Sequence, residues 1–278
     1  MKIAIRLALA LQLSCAGPPP KGEASPPIKT LQAPQSLVVP AASTSMVTSA
    51  PASAPASAPT VAFPGVPLDA SWKQEVYVMT DSVVLGAKTQ LTKGFTAAGW
   101  TVTIDGRPAI MLHIANKEMK LHKTLPEVAV VAVGYNTLWE RNRRNFSKWS
   151  KRFDKQAEEI YTTLTERGVK KVVWVMLREI SEKNIPIKNK SARNQLEKAG
   201  FYFPYVNERL KAMRERHPDM GLADWPTAGD AVGNTYDAIH LNPRGANIMT
   251  AEIMKTVGLE PPPPAPKKEK PAKKTKKK

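Results

Sequence analysis

Two short stretches carry residues that can do chemistry together. The apolar run Val76–Thr80 ends in Asp81-Ser82, and the segment "YDAIHL" places Asp237 three residues before His240. A serine hydroxyl is a weak nucleophile until a neighbouring base takes its proton. In a turn, Asp-x-x-His lets the carboxylate fix the imidazole tautomer and leaves the other ring nitrogen free to act on a serine. The chain has four histidines, so the choice of base is narrow. His113 and His122 fall inside or just after a helical stretch, and His217 precedes Pro218 in a surface connection, so these three are read as structural or solvated. His240 is the base candidate. The spacing alone is a weak signal, because Asp237 serves equally well as a turn cap.

The elements that must position these residues follow from hydrophobic periodicity. Between about Trp72 and Glu260, short apolar runs alternate with longer stretches of helical period. "QEVYVMT", "WTVTID", "PEVAVVAVG", "VKKVVWVML" and "MGLADW" read as five strands. "AKTQLTKGFTAAG", "PAIMLHIANKEMKL", "NFSKWSKRFDKQAEEIYTTLTERG", "PYVNERLKAMRERH" and "RGANIMTAEIMKTVG" read as helices. The third helix has apolar positions at 146, 149, 153, 157, 160, 161 and 164. Near-continuous apolar strands alternating with helices predict a three-layer α/β/α, doubly wound, mainly parallel five-stranded sheet. Ligands bind outside the carboxyl ends of such strands. Asp81-Ser82, Asp105-Gly106-Arg107, Gly134-Tyr135-Asn136 and the late "NTYDAIHLNPRG" therefore belong on one edge. The polar stretch Ser181–Gly200 reads as a mobile loop. Arg107 and Arg178, at strand ends, have open roles: contact with an anionic or sugar substrate, pairing with Glu179, or simple solvation.

Four separated blocks in this order resemble the SGNH (GDSL-type) hydrolases across nearly all of residues 72–257. They are "TDSVVLGA" with Ser82, "IDGRPA" with Gly106, "VAVGYNT" with Gly134 and Asn136, and "YDAIHLNPRGA" with Asp237 and His240. "VVWVMLRE" and "LADW" resemble the branch found in bacterial envelope proteins, including extracytoplasmic domains linked to peptidoglycan O-acetylation. The resemblance implies a flavodoxin-like fold and a catalytic set of Ser82, His240 and Asp237. It also implies an oxyanion hole built from the Ser82 and Gly106 backbone N–H groups and the Asn136 side-chain amide. One departure is Thr80, where the family has glycine, which puts a β-branched side chain at a tight strand exit.

The ends of the chain bear on where it works. "MKIAIRLALALQLSCAG" has Lys2 and Arg6 before a short apolar stretch, and so reads as a signal peptide over residues 1–14. Cys15 is the single cysteine, which excludes an internal disulfide framework and a multi-cysteine metal site. It is a lipidation candidate, with ordinary cleavage nearby as the other reading. Residues 15–71 form a Pro/Ala/Ser-rich disordered linker, residues 72–260 the catalytic domain, and residues 261–278 a basic tail. The last twelve residues hold eight lysines against one glutamate, a net +7 within a chain of net charge +17. Such a run stays disordered and contacts polyanions, or only solubilises. Nucleic acid is disfavoured as the main partner, because the lysines lack interleaved aromatics and no reading motif is present. With no Gly-rich phosphate loop and no metal-ligand cluster, no cofactor is required. The expectation is an exported, monomeric serine esterase of the bacterial envelope or periplasm. Its substrate is an ester-bearing carbohydrate or cell-wall polymer, and lipid anchoring is the variant that lipidation of Cys15 brings. An O-acyltransferase with the same triad and a non-catalytic envelope-binding relative are the alternatives.

Overall fold

The computed structural model describes residues 63–137, 146–186 and 188–263. The leader, Cys15, the linker before Phe63 and the lysine-rich tail lie outside the described residues. Five strands form one sheet: β1 (Glu75–Thr80), β2 (Thr101–Gly106), β3 (Val128–Ala132), β4 (Lys171–Val175) and β5 (Gly221–Ala223). Their order is β2-β1-β3-β4-β5, and every ladder between neighbours is parallel. The architecture is therefore the doubly wound α/β sheet that the alternation of apolar strands and helices predicts.

Burial explains the composition of each strand. β3 and β4 are buried at every position, and β1 at every position after Glu75. Strands covered on both faces have no exposed side to carry polar residues. β2 lies at the edge and reads exposed and half-buried in turn, which is why its threonines alternate with Val102 and Ile104.

The helices are α1 (Ser82–Leu85), α2 (Lys88–Ala97), α3 (Leu112–Met119), α4 (Phe146–Glu166), α5 (Lys190–Ala199), α6 (Phe203–Arg216), α7 (Trp225–Ala228) and α8 (Pro243–Val257). α2 packs on α8, and α3 on α4. Right-handed crossovers leave opposite faces when the chain reverses direction across the sheet. It does so between β1→β2 and β2→β3, so α2 and α3 cover different faces. α4 buries Trp149, Phe153, Ala157, Ile160, Tyr161 and Leu164, six of the apolar positions its sequence spacing marks out.

Three local readings change. β2 runs on one residue past Asp105, so Gly106 is a strand residue rather than part of a loop beyond it. β5 stops at Ala223, because Asp224 caps α7 by accepting from the Thr227 amide at 3.2 Å. Ser181–Gly200, read as a loop, contains α5. Its cap is Asn189, which accepts from the Ala192 amide at 3.0 Å, and its buried positions are Ala192 and Ala199. Two alanines bury too little apolar area to register as a periodic signal.

The packed body also reaches back beyond Trp72. The Phe63 carbonyl accepts from the Leu222 amide at 2.8 Å, the Val66 amide donates to the Asp219 carbonyl at 3.1 Å, and the buried Lys171 ammonium donates to the Val66 carbonyl. Burial pushes the Lys171 pKa down to about 8. A chain starting at residue 72 strands this ammonium and uncovers Leu222. We expect it to unfold in urea with about 2 kcal/mol less stability than a chain starting at residue 58; equal midpoints and slopes would show that the segment only rests on the surface.

Candidate active site

In this strand order the direction of winding reverses between β1 and β3, and the crevice outside their carboxyl ends is where doubly wound sheets bind ligands. Ser82 follows β1 and Asn136 follows β3. Gly106, the last residue of β2, pairs in register with Thr80. The three oxyanion candidates thus stand at the ends of three adjacent strands.

Ser82 is the first residue of α1. Asp81, in extended conformation, caps that helix by accepting from the Val83 amide at 3.0 Å. Thr80 fits the tight exit: its side chain is fully buried and its hydroxyl donates to the Asp81 carbonyl at 3.0 Å. The glycine that the exit does require is Gly106. Its φ is 137°, and a Cβ there would lie 1.9 Å from the Thr80 carbonyl oxygen. The close approach that excludes a side chain is therefore to the neighbouring strand's backbone.

His240 lies 158 residues further along the chain, with its Nε2 3.2 Å from the Ser82 hydroxyl. Its Nδ1 is 2.8 Å from Asp237 Oδ2. The other carboxylate oxygen, Oδ1, accepts from the Ile239 and His240 amides at 3.1 and 2.8 Å. Asp237 thus both closes the turn, as a cap would, and bonds the imidazole. The turn is tight: the Tyr236 amide donates to the His240 carbonyl at 2.8 Å, Thr235 bridges Leu241, and Ala238 sits at φ 77°. An alanine in that left-handed region carries about 1–2 kcal/mol of backbone strain.

The three titratable groups influence one another. Burial would raise the Asp237 carboxyl, but the bonds from the His240 ring and from the His240 and Ile239 amides hold it at about 2. The Asp237 bond raises the His240 pKa above its ordinary 6.5; burial opposes this, and the charges of Asp237 and Asp81 reinforce it. Asp81 is fully buried, its Oδ2 has no hydrogen-bond partner among the described residues, and burial pushes its carboxyl up to about 7 against the pull of nearby amides and of His240. A carboxylate-fixed imidazole facing a serine hydroxyl is an arrangement able to deprotonate that hydroxyl.

Asn136 lies within the turn that the Thr137 amide closes by donating to the Gly134 carbonyl at 3.2 Å. The Asn136 amide nitrogen is buried and has no hydrogen-bond partner among the described residues. A buried donor without an acceptor costs about 1–3 kcal/mol, and an anionic oxygen in the crevice would supply the acceptor.

Side chains that sequence reasoning left open or missed turn out to be supports. Arg107 is exposed and pairs with Glu118 at 3.3 Å. Arg178 is fully buried and binds backbone carbonyls, so it neither pairs with Glu179 nor meets solvent. Asn207 on α6 grips the Leu177 backbone through both N–H and C=O at 2.8 Å each, fixing the exit of β4. The one signal for Arg178 was a lone cation directly after the apolar run Val172–Leu177. Of the other histidines, His122 bonds Asp105 at 2.8 Å and His217 bonds Glu158 at 2.7 Å, and both lie outside the Ser82 array.

No family model and no curated protein sequence matches the chain. Solved structures do match. A GDSL-like lipase from Bacteroides thetaiotaomicron is 14% identical, with a TM-score of 0.50 over 66% of this chain and 88% of the other. An acetylxylan esterase from Geobacillus stearothermophilus is 12% identical, with a TM-score of 0.50 over 67% and 94%. An α/β hydrolase from the Lake Arreo metagenome is 15% identical, with a TM-score of 0.50 over 69% and 97%. The fold is that of the SGNH (GDSL-type) hydrolases.

The His240 titration tests the array directly. By NMR, His240 should titrate above 6.5, and Asp237→Asn should lower its pKa by about one unit or more, because burial then acts without the carboxylate. A titration unmoved by Asp237→Asn would mean that the Nδ1–Oδ2 bond does not form in solution.

Proposed function

We infer that this protein is a serine esterase of the SGNH type, which removes short acyl groups, acetyl foremost, from a carbohydrate or envelope polymer. The observation that carries this reading is the continuous array Ser82 Oγ, His240 Nε2, His240 Nδ1, Asp237 Oδ2, with contacts of 3.2 and 2.8 Å. The low Asp237 pKa keeps its carboxylate ionised at neutral pH, which holds the Nδ1 proton and leaves Nε2 as the acceptor.

In the proposed reaction Ser82 Oγ attacks the ester carbonyl carbon as its proton passes to Nε2. The carbonyl oxygen becomes an oxyanion beside the Ser82 and Gly106 N–H groups and the Asn136 amide; each such donor contributes on the order of 3 kcal/mol of transition-state stabilisation. The carbon–alkoxy bond then breaks, and the imidazolium protonates the departing alkoxide oxygen, which leaves as the sugar hydroxyl. Water, deprotonated by His240, attacks the acyl-serine, and collapse releases the carboxylic acid and returns the proton to Ser82.

Accessibility favours water and large substrates. The His240 side chain is 46% exposed, and Tyr236 beside it is 62% exposed. Along the same sheet edge lie two open recesses. One, of about 370 Å³, is formed by Arg107–Ile114 beyond β2, and the other, of about 570 Å³, lies beyond β4 and β5 around Glu179, Asn184 and Asp230. A half-exposed base with recesses beyond the neighbouring strands suits an ester displayed along a polymer.

The full chain should hydrolyse p-nitrophenyl acetate, and Ser82→Ala and His240→Ala should each lower kcat by about 10³-fold or more with circular dichroism unchanged. Turnover surviving in folded Ser82→Ala would remove the acyl-serine step.

The signal-like leader, the proline-rich linker and the lysine run support work at an envelope surface, with the catalytic domain tethered through the linker and the tail on an anionic polymer. Among the described residues no helix is long and apolar enough to cross a membrane. Deleting residues 261–278 should leave p-nitrophenyl acetate turnover nearly unchanged and abolish low-salt retention on an anionic wall polymer. Undiminished retention would reduce the tail to a solubilising segment.

A further inference from the structure

One fully buried cation plays no part in the reaction just described, yet touches the loop that carries the base. Arg178 leaves the end of β4 with no exposed surface. Its guanidinium donates through Nε to the Gly229 carbonyl at 2.7 Å, through Nη1 to the Ala238 carbonyl at 2.9 Å, and through Nη2 to the Asn184 and Asp230 carbonyls at 2.7 and 3.1 Å. Its own amide donates to the buried Tyr135 hydroxyl at 2.7 Å. All four side-chain contacts are to backbone oxygens. The nearby Asp230 carboxylate accepts instead from Asn184 Nδ2 at 2.7 Å.

A buried charge is tolerated only where its donors are satisfied. Here the acceptors come from three places: the segment after β4, the turn after α7, and the Asp237–His240 turn. The planar fork of a guanidinium can join them at once, which the single ammonium of a lysine cannot. The contact to Ala238 is the telling one. Ala238 stands between Asp237 and His240 and is the residue held at φ 77°. Its carbonyl lies inside the turn that carries the Asp237 carboxylate and the His240 ring.

We propose that Arg178 is the positioning residue of this site: by gripping the Ala238 carbonyl it stabilises the left-handed turn and holds His240 against Ser82. This rests on the esterase reading for its kinetic consequence, but the geometry it claims is independent of turnover. Arg178 touches neither substrate nor reacting atoms. Its loss acts through His240.

The test uses the full chain with Arg178→Lys and Arg178→Met. Each variant should lose at least about ten-fold in kcat for p-nitrophenyl acetate while KM changes by less than about three-fold, since misplacing a catalytic group by ~1 Å costs up to 10²-fold. The low-field proton resonance that the Nδ1–Oδ2 bond should give His240 Nδ1–H in the parent protein should broaden or vanish in both variants. Adding Ala238→Gly to Arg178→Lys should recover kcat several-fold, because glycine adopts the left-handed conformation without the grip. Parent-like kcat with an intact resonance overturns the proposal, and so does a kcat loss that leaves the resonance in place and is not recovered by Ala238→Gly. Should neither variant fold, the parent protein decides. A guanidinium N–H of Arg178 protected from solvent exchange, with a cross-peak to Ala238, supports the grip; rapid exchange overturns it. Failure of the esterase reading is separate, since it shows as turnover that persists in Ser82→Ala, whereas the His240 resonance reports positioning even in a protein without turnover.

Discussion

Burial of β1 on both faces and both edges governs what the rest of the molecule can do. Flanked by β2 and β3 and covered by helices, the strand has no position after Glu75 where a polar side chain can meet water. Polar chemistry is therefore displaced to the point where the strand ends. There Asp81 turns its carboxylate back to cap α1, and Ser82 emerges at the mouth of the crevice. Gly106 belongs to the same constraint, because β2 can approach the Thr80 carbonyl only where it has no Cβ.

The second half of the site is held by a different device. The Asp237–His240 turn belongs to no strand, and its conformation is locally strained at Ala238. It is tied down from several sides. Asn242 caps α8 by accepting from the Gly245 amide at 3.0 Å and donates to the Gly233 carbonyl at 2.7 Å. Gly245 packs so tightly that a Cβ would lie 1.9 Å from the Asn234 oxygen. The Arg178 guanidinium grips the turn from beneath. The imidazole is thereby fixed by backbone contacts on one side and by the Asp237 carboxylate on the other, while half of its surface faces solvent.

Electrostatically, two carboxylates bear on one histidine in opposite circumstances. Asp237 is well supplied with donors and stays ionised, whereas Asp81 is buried, one of its oxygens has no partner among the described residues, and burial pushes its pKa up to about 7. Environment rather than residue type separates them. The first fixes the tautomer of His240; the charge of the second adds to the rise of the His240 pKa.

Much of this was legible along the chain. Near-continuous apolar strands alternating with amphipathic helices determine a doubly wound α/β domain, because periods of two and 3.6 and the punctuation between them are properties of residues a few positions apart. The same locality made Asp81-Ser82 at a strand exit and Asp-x-x-His before a helix visible as candidate chemistry. It failed for α5, whose buried face rests on small alanines, and for the end of β5, where Asp224 caps a helix instead of extending a strand. Tertiary structure alone decided that β1 lies between β2 and β3, that Ser82 and His240 meet across 158 residues, and that Arg178 turns inward to bind four carbonyls. The physical reason is one of range. A side chain's local pattern records whether it can be buried, but what it is buried against depends on packing between distant segments, and only that packing tells a solvated arginine from a clamp.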